Sequence, residues 1–143
     1  MFGITSQAYQ LRQSMDTVTL ITKKLASTTN GTYYIAVAAL SVAFIVTHPF
    51  GLFGFLSRTA TLLAIVLALK VYTRKERPDK TDKLAFPSGH TAFAFFLAAM
   101  FNFSPLMLLW AAGVGASRIV AKKHDVKDVV AGAALGMLFG YGG

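Results

Sequence analysis

Three short clusters of cationic, histidine and small residues carry side chains from which a phosphate site could be built. In chain order they are Lys70 with Arg77-Pro78, Pro87-Ser88-Gly89-His90, and Ser117-Arg118 with His124 and Asp128. Phosphoryl transfer spreads negative charge over three equatorial oxygens, which fixed cations and N–H donors stabilise. The clusters therefore predict phosphoryl chemistry, provided that the fold brings them together.

The cations that the spacing singles out are Lys70, Arg77 and Arg118. A planar guanidinium can hold two phosphate oxygens at once, whereas an ammonium is a point charge. We expect the arginines to clamp the phosphate and Lys70 to add charge. The alternative is an ordinary interfacial cation beside a membrane helix. That simpler role is the one predicted for Arg74, Lys75, Lys80, Lys122 and Lys123.

The tetrapeptide Pro87-Ser88-Gly89-His90 lies where a loop is predicted to become a helix. Proline suits a first helical turn, glycine permits close approach, and the unpaired N–H groups of that turn bind anions. The Ser88 hydroxyl and the Gly89 N–H are thus predicted to contact phosphate. His90 is predicted to be a general acid, because imidazole ordinarily titrates near 6.5. The alternative is a capping turn with an incidental histidine.

His124 and Asp128 are four residues apart, so they share a face if the last helix begins by His124. A carboxylate there can accept from one imidazole nitrogen and leave the other free to attack phosphorus. The alternative is a helix-surface pair worth a few tenths of a kcal/mol. His48, which has no partner cluster, is predicted to have no catalytic role.

The three clusters, in this order at the ends of hydrophobic helices, resemble the signature of the type 2 phosphatidic acid phosphatase family. These are integral membrane relatives of vanadium haloperoxidases and bacterial acid phosphatases. The resemblance covers about residues 70–132, and every signature position is filled. It implies hydrolysis of a phosphate ester or anhydride through a phosphohistidine, without metal or cofactor. It also implies that His124 is the nucleophile and that Asp128 orients it.

Composition points to a membrane. The chain has 143 residues, 55% of them hydrophobic and 14% charged, whereas soluble domains have about 25% charged residues. It has no cysteine, which excludes a disulfide framework, a zinc–thiolate site and a thiol nucleophile. The net charge of +8 suggests nucleic acid, an anionic bilayer or an anionic substrate. Nucleic acid is set aside, because the cations alternate with membrane helices.

The predicted fold is all-α, a membrane bundle of about five spans preceded by an amphipathic helix. Residues 1–30 carry one apolar stripe and are predicted to lie at the membrane surface as a retained segment, with 31–143 as the phosphatase domain. Packing of this helix on the domain or on a second copy is the alternative. The predicted spans are 33–47, 54–73, 88–103, 105–120 and 126–141. In the last span, Gly132, Gly136 and Gly140 predict close approach of a neighbouring helix.

Following the chain across the bilayer places all of the 14 Lys and Arg residues except Arg58 on or near one face, together with all six acids. A proton-coupled transporter usually keeps an ionisable residue in mid-membrane, and none is predicted here. The positive-inside rule favours a cytoplasmic site in a multi-pass protein of the cell membrane. A lipid phosphate is the predicted substrate, since its tail can stay in hydrocarbon.

Polyprenyl diphosphate, phosphatidic acid and phosphatidylglycerol phosphate all meet that requirement, and family habit ranks the polyprenyl lipid first. The family core usually has six spans, so one is missing here or is replaced by the amino-terminal helix, and a homodimer is an open alternative. Two Asp-x-x-Asp pairs, Asp79 with Asp82 and Asp125 with Asp128, could instead hold Mg²⁺ in a prenyl or alcohol-phosphate transferase. A small basic membrane protein without catalysis is the third alternative.

Overall fold

The structure, a computed structural model, describes residues 3–48 and 51–141, and within the first helix it describes side chains at 7–21, 24 and 30–47. The five α-helices of these ranges are α1 Gly3–Thr47, α2 Leu52–Thr73, α3 Gly89–Met100, α4 Pro105–Val120 and α5 Val126–Gly140. The ranges contain no strand. The predicted all-α class is therefore confirmed.

Helix α1 runs without a break through residue 31, where the composition changes. A change from polar to apolar side chains alters the environment of a helix but does not interrupt its hydrogen bonds, and one glycine costs only about 1 kcal/mol. At 1.5 Å per residue its 45 residues extend about 67 Å. The side chains of 7–21 are all exposed. The division at residue 30 stays a prediction.

Helix α3 is shorter than predicted. Asn102 and Phe103 both have φ of 54°, which is outside the right-handed helical region, so the helix ends at Met100 instead of residue 103. Its 12 residues extend about 18 Å, well below the roughly 30 Å of a bilayer core.

Two of the described helical segments are long and apolar enough to cross a membrane, Asn30–Thr47 and Leu52–Thr73. Both are largely exposed within the protein, so they are not core helices of this bundle. Large apolar side chains such as Val46, Phe53 and Leu56 point outward, as a hydrocarbon environment requires. The segments α3, α4 and α5 are shorter, and a total of five spans stays a prediction.

Helices α3 and α5 form the closest helix pair. A Cβ built on Gly132, Gly136 or Gly140 would lie between 2.1 and 2.5 Å from a backbone carbonyl oxygen of α3 or of the residue that precedes it. Only glycine permits this approach, and the prediction from the four-residue spacing is confirmed. The same contact brings the start of α3 against the start of α5, where the Ser88 N–H donates to the Asp128 carbonyl oxygen at 2.9 Å.

Helices α1 and α2 come together near His48 and Gly51, where the Gly51 N–H donates to the His48 carbonyl oxygen at 2.8 Å, and they enclose a cavity at their other end. Near the turn, Phe44 stacks on Phe55 with ring centroids 5.5 Å apart. Both belong to an apolar core that also includes Leu62, Val66 and Phe96. At the opposite end the space between the two helices is open and leads to the loop between α2 and α3.

Candidate active site

A cavity of about 590 Å³ lies between α1, α2 and α3, and its polar end collects five of the eight predicted site residues. These five are Lys70, Arg77, Gly89, His90 and His124. The deeper walls are apolar and are formed by Val37, Leu63, Val66, Leu67 and Phe93. Cationic and imidazole groups therefore lie at one end of a hydrophobic groove.

The two cations of the groove are bonded to acceptors of the 74–87 loop. Lys70 at the end of α2 donates from Nζ to the Leu84 carbonyl oxygen at 2.5 Å, and Arg77 donates from Nε to Asp82 Oδ1 at 2.7 Å. Burial raises the pKa of Asp82, but the Leu84 N–H and the Arg77 guanidinium outweigh it and hold that pKa below its usual range. A phosphate entering the groove would meet cations whose positions the loop already fixes.

The start of α3 places its predicted residues differently. Gly89 is the first residue of the helix and lines the groove with His90. Ser88 is the N-cap and is fully buried, with its Oγ 2.9 Å from Thr91 Oγ1, so its hydroxyl bonds within the protein and does not line the groove.

His124 lies before α5, not within it, because Asp125 is the N-cap and the helix begins at Val126. The helical face that was expected to join His124 to Asp128 is therefore absent. His124 Nδ1 is 2.7 Å from the Ala85 carbonyl oxygen, whereas the nearest Asp128 oxygen is 3.7 Å away. A carbonyl can only accept, so we assign the proton to Nδ1, which leaves the Nε2 lone pair available.

The charge state of His124 follows from its surroundings. Burial lowers the pKa of His124 to about 4, and repulsion by Lys70 and Arg77 acts in the same direction. The Ala85 hydrogen bond and the Asp128 carboxylate oppose this shift without cancelling it. The imidazole is therefore neutral at pH 7, which is the form that a nucleophile requires.

Asp128 is fully buried and serves as one half of a capping box. Its Oδ2 accepts from the Asp125 N–H at 3.0 Å, while the Asp125 side chain accepts from the Asp128 N–H. Its Oδ1 accepts from Lys75 Nζ at 2.6 Å, and Lys75 also pairs with Asp125 at 2.9 Å. Although burial opposes it, contact with these two carboxylates holds the pKa of Lys75 above its usual range. Lys75, predicted to be an ordinary interfacial cation, instead neutralises a buried carboxylate.

Replacing Lys75 by methionine should lower the free energy of unfolding by about 3 kcal/mol, because Asp128 would be left buried without its cation. This is the lower end of the range for a broken buried pair, since the Lys75 side chain is itself 33% exposed. Denaturant unfolding in detergent measures the effect, with Lys83→Met at an exposed position as the matched control. Equal stability of the two variants would contradict the assigned role of Lys75.

The carboxylates of the other Asp-x-x-Asp pair, Asp79 and Asp82, are also bonded to side chains of the protein. Asp79 accepts from Lys123 Nζ and from the Thr81 hydroxyl, and Asp82 accepts from Arg77. Lys123, like Lys75, thus has an ion-pair partner. Within the described ranges, no three His, Asp or Glu side chains are grouped so that they could share a metal ion. Each pair contacts cations of the protein, an arrangement that gives the magnesium alternative no support.

Arg118 lies behind the groove, in the last turn of α4. It is 3% exposed, donates from Nε to Ser117 Oγ at 3.2 Å and from Nη1 to Asn30 Oδ1, and lines a second cavity of about 370 Å³ between α1 and α4. Tyr33 lines both cavities. The structure therefore brings Lys70, Arg77, Gly89, His90 and His124 into one groove and leaves Ser88, Arg118 and Asp128 at its back.

Sequence reasoning missed Lys75, the Ala85 carbonyl, Asn30 and Tyr33. The Asp-x-x-Asp spacing could have identified the capping box, because an N-cap aspartate followed three residues later by an acid is its known signature. The contacts made by the other residues join positions far apart in the chain, such as Arg118 with Asn30 and His124 with Ala85. Such contacts leave no local pattern.

Comparison with known proteins identifies a matching family model and a curated relative. The model of the PAP2 superfamily matches residues 72–142. A lipid A 1-phosphatase of Porphyromonas gingivalis is 41% identical over 73 residues, which cover 45% of this chain and 16% of that protein. The chain therefore spans only a small part of the curated relative that it matches. No solved structure matches the chain.

Proposed function

Because the model of the PAP2 superfamily matches residues 72–142, we propose that this chain is a membrane phosphatase of that superfamily and hydrolyses the phosphomonoester or pyrophosphate head of a lipid. The observation that carries the proposal is the single groove of about 590 Å³ with cations and two histidines at one end and apolar walls along the rest. The lipid phosphatase name of the bacterial relative agrees with this reading.

In the proposed reaction, Lys70, Arg77 and the Gly89 N–H hold the phosphate oxygens at the polar end. The His124 Nε2 lone pair attacks phosphorus, the bond to the leaving oxygen breaks, and His90 donates a proton to that oxygen. Water then attacks the phosphohistidine, returns a proton to His90 and releases phosphate. Cations that are already fixed in place stabilise charge without reorganising as the charge develops.

Ser88, Arg118 and Asp128 lie behind the groove, and we propose that they keep their predicted roles under the following conditions. Arg118 and Ser88 would have to turn toward the groove to bind phosphate directly. Asp128 would orient His124 from 3.7 Å, as a nearby charge in addition to the Ala85 hydrogen bond.

The apolar length of the groove supports a lipid substrate. Leu67 and Leu63 lie on α2 on the deep side of Lys70, about one and two helical turns further from the polar end respectively. A hydrocarbon chain bound there would keep its contact with apolar surface while its phosphate reached the cations. Polyprenyl diphosphate is proposed first, with phosphatidic acid and phosphatidylglycerol phosphate as further candidates.

The test is phosphate release from a panel of these three lipids by purified protein, with and without EDTA. We expect the protein to release phosphate from at least one of these lipids, and we expect that release to continue in the presence of EDTA. Strict Mg²⁺ dependence would favour the transferase alternative, and no release from any lipid would favour a non-enzymatic membrane protein.

We also propose that the protein is a multi-pass protein of the cell membrane with the site on the cytoplasmic side and residues 1–30 at the bilayer surface. The cations of the 74–87 loop support this orientation through the positive-inside rule. Lys80 is exposed in that loop, and the chain has no cysteine, so Lys80→Cys gives one labelling site. Protection from an impermeant reagent in intact cells is expected, and labelling there would place the site outside.

A further inference from the structure

The aromatic contacts of His90 come from α1, which lies outside the matched family segment. Tyr33 is 8% exposed, and its ring centroid is 4.6 Å from that of His90 with a tilt of 49°. Tyr34 lies further away, at 5.9 Å. The aromatic contacts of the His90 ring therefore depend on a helix of which the PAP2 match includes no part.

His90 lacks a hydrogen bond that would fix its outer nitrogen. Its Nε2 is buried and has no hydrogen-bond partner within the described part of the chain. A general acid acts only when its proton points at the leaving oxygen, and small errors of placement reduce the rate strongly. Packing against the ring must therefore hold the imidazole until substrate supplies the missing acceptor.

Two contacts with α4 hold Tyr33 and the α1 turn that precedes it. Its ring is nearly parallel to that of Trp110 of α4, at 8° and 6.4 Å. One turn earlier in α1, Asn30 accepts from Arg118 of α4. These contacts fix α1 against α4 and hold the Tyr33 ring in place beside His90.

We propose that Tyr33 is a positioning residue that holds the His90 imidazole by ring contact in the orientation that protonates the leaving oxygen. This inference rests on the proposed phosphatase function and on the general-acid role of His90. Because the contact is made by the ring, phenylalanine should replace tyrosine with little loss. An aliphatic side chain should not, since it lacks the flat face and the polarised edge that contact imidazole.

The experiment is a double-mutant cycle on the panel lipid that the wild type hydrolyses fastest. Tyr33→Leu is expected to lower kcat roughly 10²-fold, the lower end of what general acid catalysis supplies, with KM changed much less. Tyr33→Phe should stay within about threefold of wild type if the ring is what matters. In a His90→Ala background, Tyr33→Leu should cause no further loss, because the residue on which it acts is gone.

Tyr72→Leu is the matched control, since Tyr72 is 87% exposed on α2 and does not line the groove. Thermal unfolding of each variant separates misfolding from mispositioning. Losses that add in the cycle, or a Tyr33→Phe variant as weak as Tyr33→Leu, would overturn the assignment. A wild type that releases no phosphate would instead overturn the proposed function, so the two failures are distinguishable.

Discussion

Replacing His124 by alanine should abolish phosphate release, with a fall in kcat on the order of 10⁶-fold, the scale seen when an enzyme loses its nucleophile. The reason is geometric as well as chemical. His124 lines the groove beside Lys70 and Arg77, and its Nδ1 proton is directed to the Ala85 carbonyl, which leaves Nε2 for attack.

His48→Ala is the matched control, because His48 stacks on Phe44 at 4.6 Å in the turn at the opposite end of α1 and α2. It should leave phosphate release unchanged. Phosphate trapped on His124 in the His90→Ala protein would support both proposed roles. A His124→Ala variant with a tenth of wild-type activity, or label recovered on another residue, would refute the nucleophile assignment.

The sequence predicted those parts of the fold that depend on local pattern. Helix α4 begins at a proline, and the ends of α2 and α5 fall within two residues of the expected positions. The position of the motifs at helix ends also predicted that site residues would meet, and five of them line one groove. The continuity of α1 was not predictable, because the change at residue 31 alters polarity while every residue there still permits a helix.

The rest of the site depends on contacts that have no local signature. A backbone carbonyl such as that of Ala85 has no side-chain identity, so nothing in the sequence marks it as the partner of His124. Lys75 and Lys83 look alike as loop lysines, yet only the fold brings Lys75 to within 2.6 Å of a buried carboxylate. Tyr33 belongs to a helix whose apolar residues predict a membrane span. That pattern gives no indication that Tyr33 also contacts a site residue.

Gly136→Ala should destabilise the protein by about 3 kcal/mol or more, the upper part of the range for overpacking a closely packed interior. The added Cβ would lie 2.1 Å from the Ala92 carbonyl oxygen and 2.8 Å from the Phe96 nitrogen. Both are backbone atoms of α3, so no side-chain rotation relieves the clash, and α3 and α5 must separate. Unfolding in detergent, followed by circular dichroism, measures the loss.

Gly113→Ala is the matched control, because the same substitution at this position should raise the free energy of unfolding instead of lowering it. Gly113 lies in α4 with nothing within 4 Å of its added Cβ, so alanine there should stabilise the helix by up to about 1 kcal/mol through backbone entropy alone. If both variants gained stability, α3 and α5 would not be in contact as described. The contact between α3 and α5 also brings Ser88 against Asp128 and sets the start of α3 beside His124. Gly136→Ala should therefore lose phosphate release together with stability. Gly113→Ala should retain both.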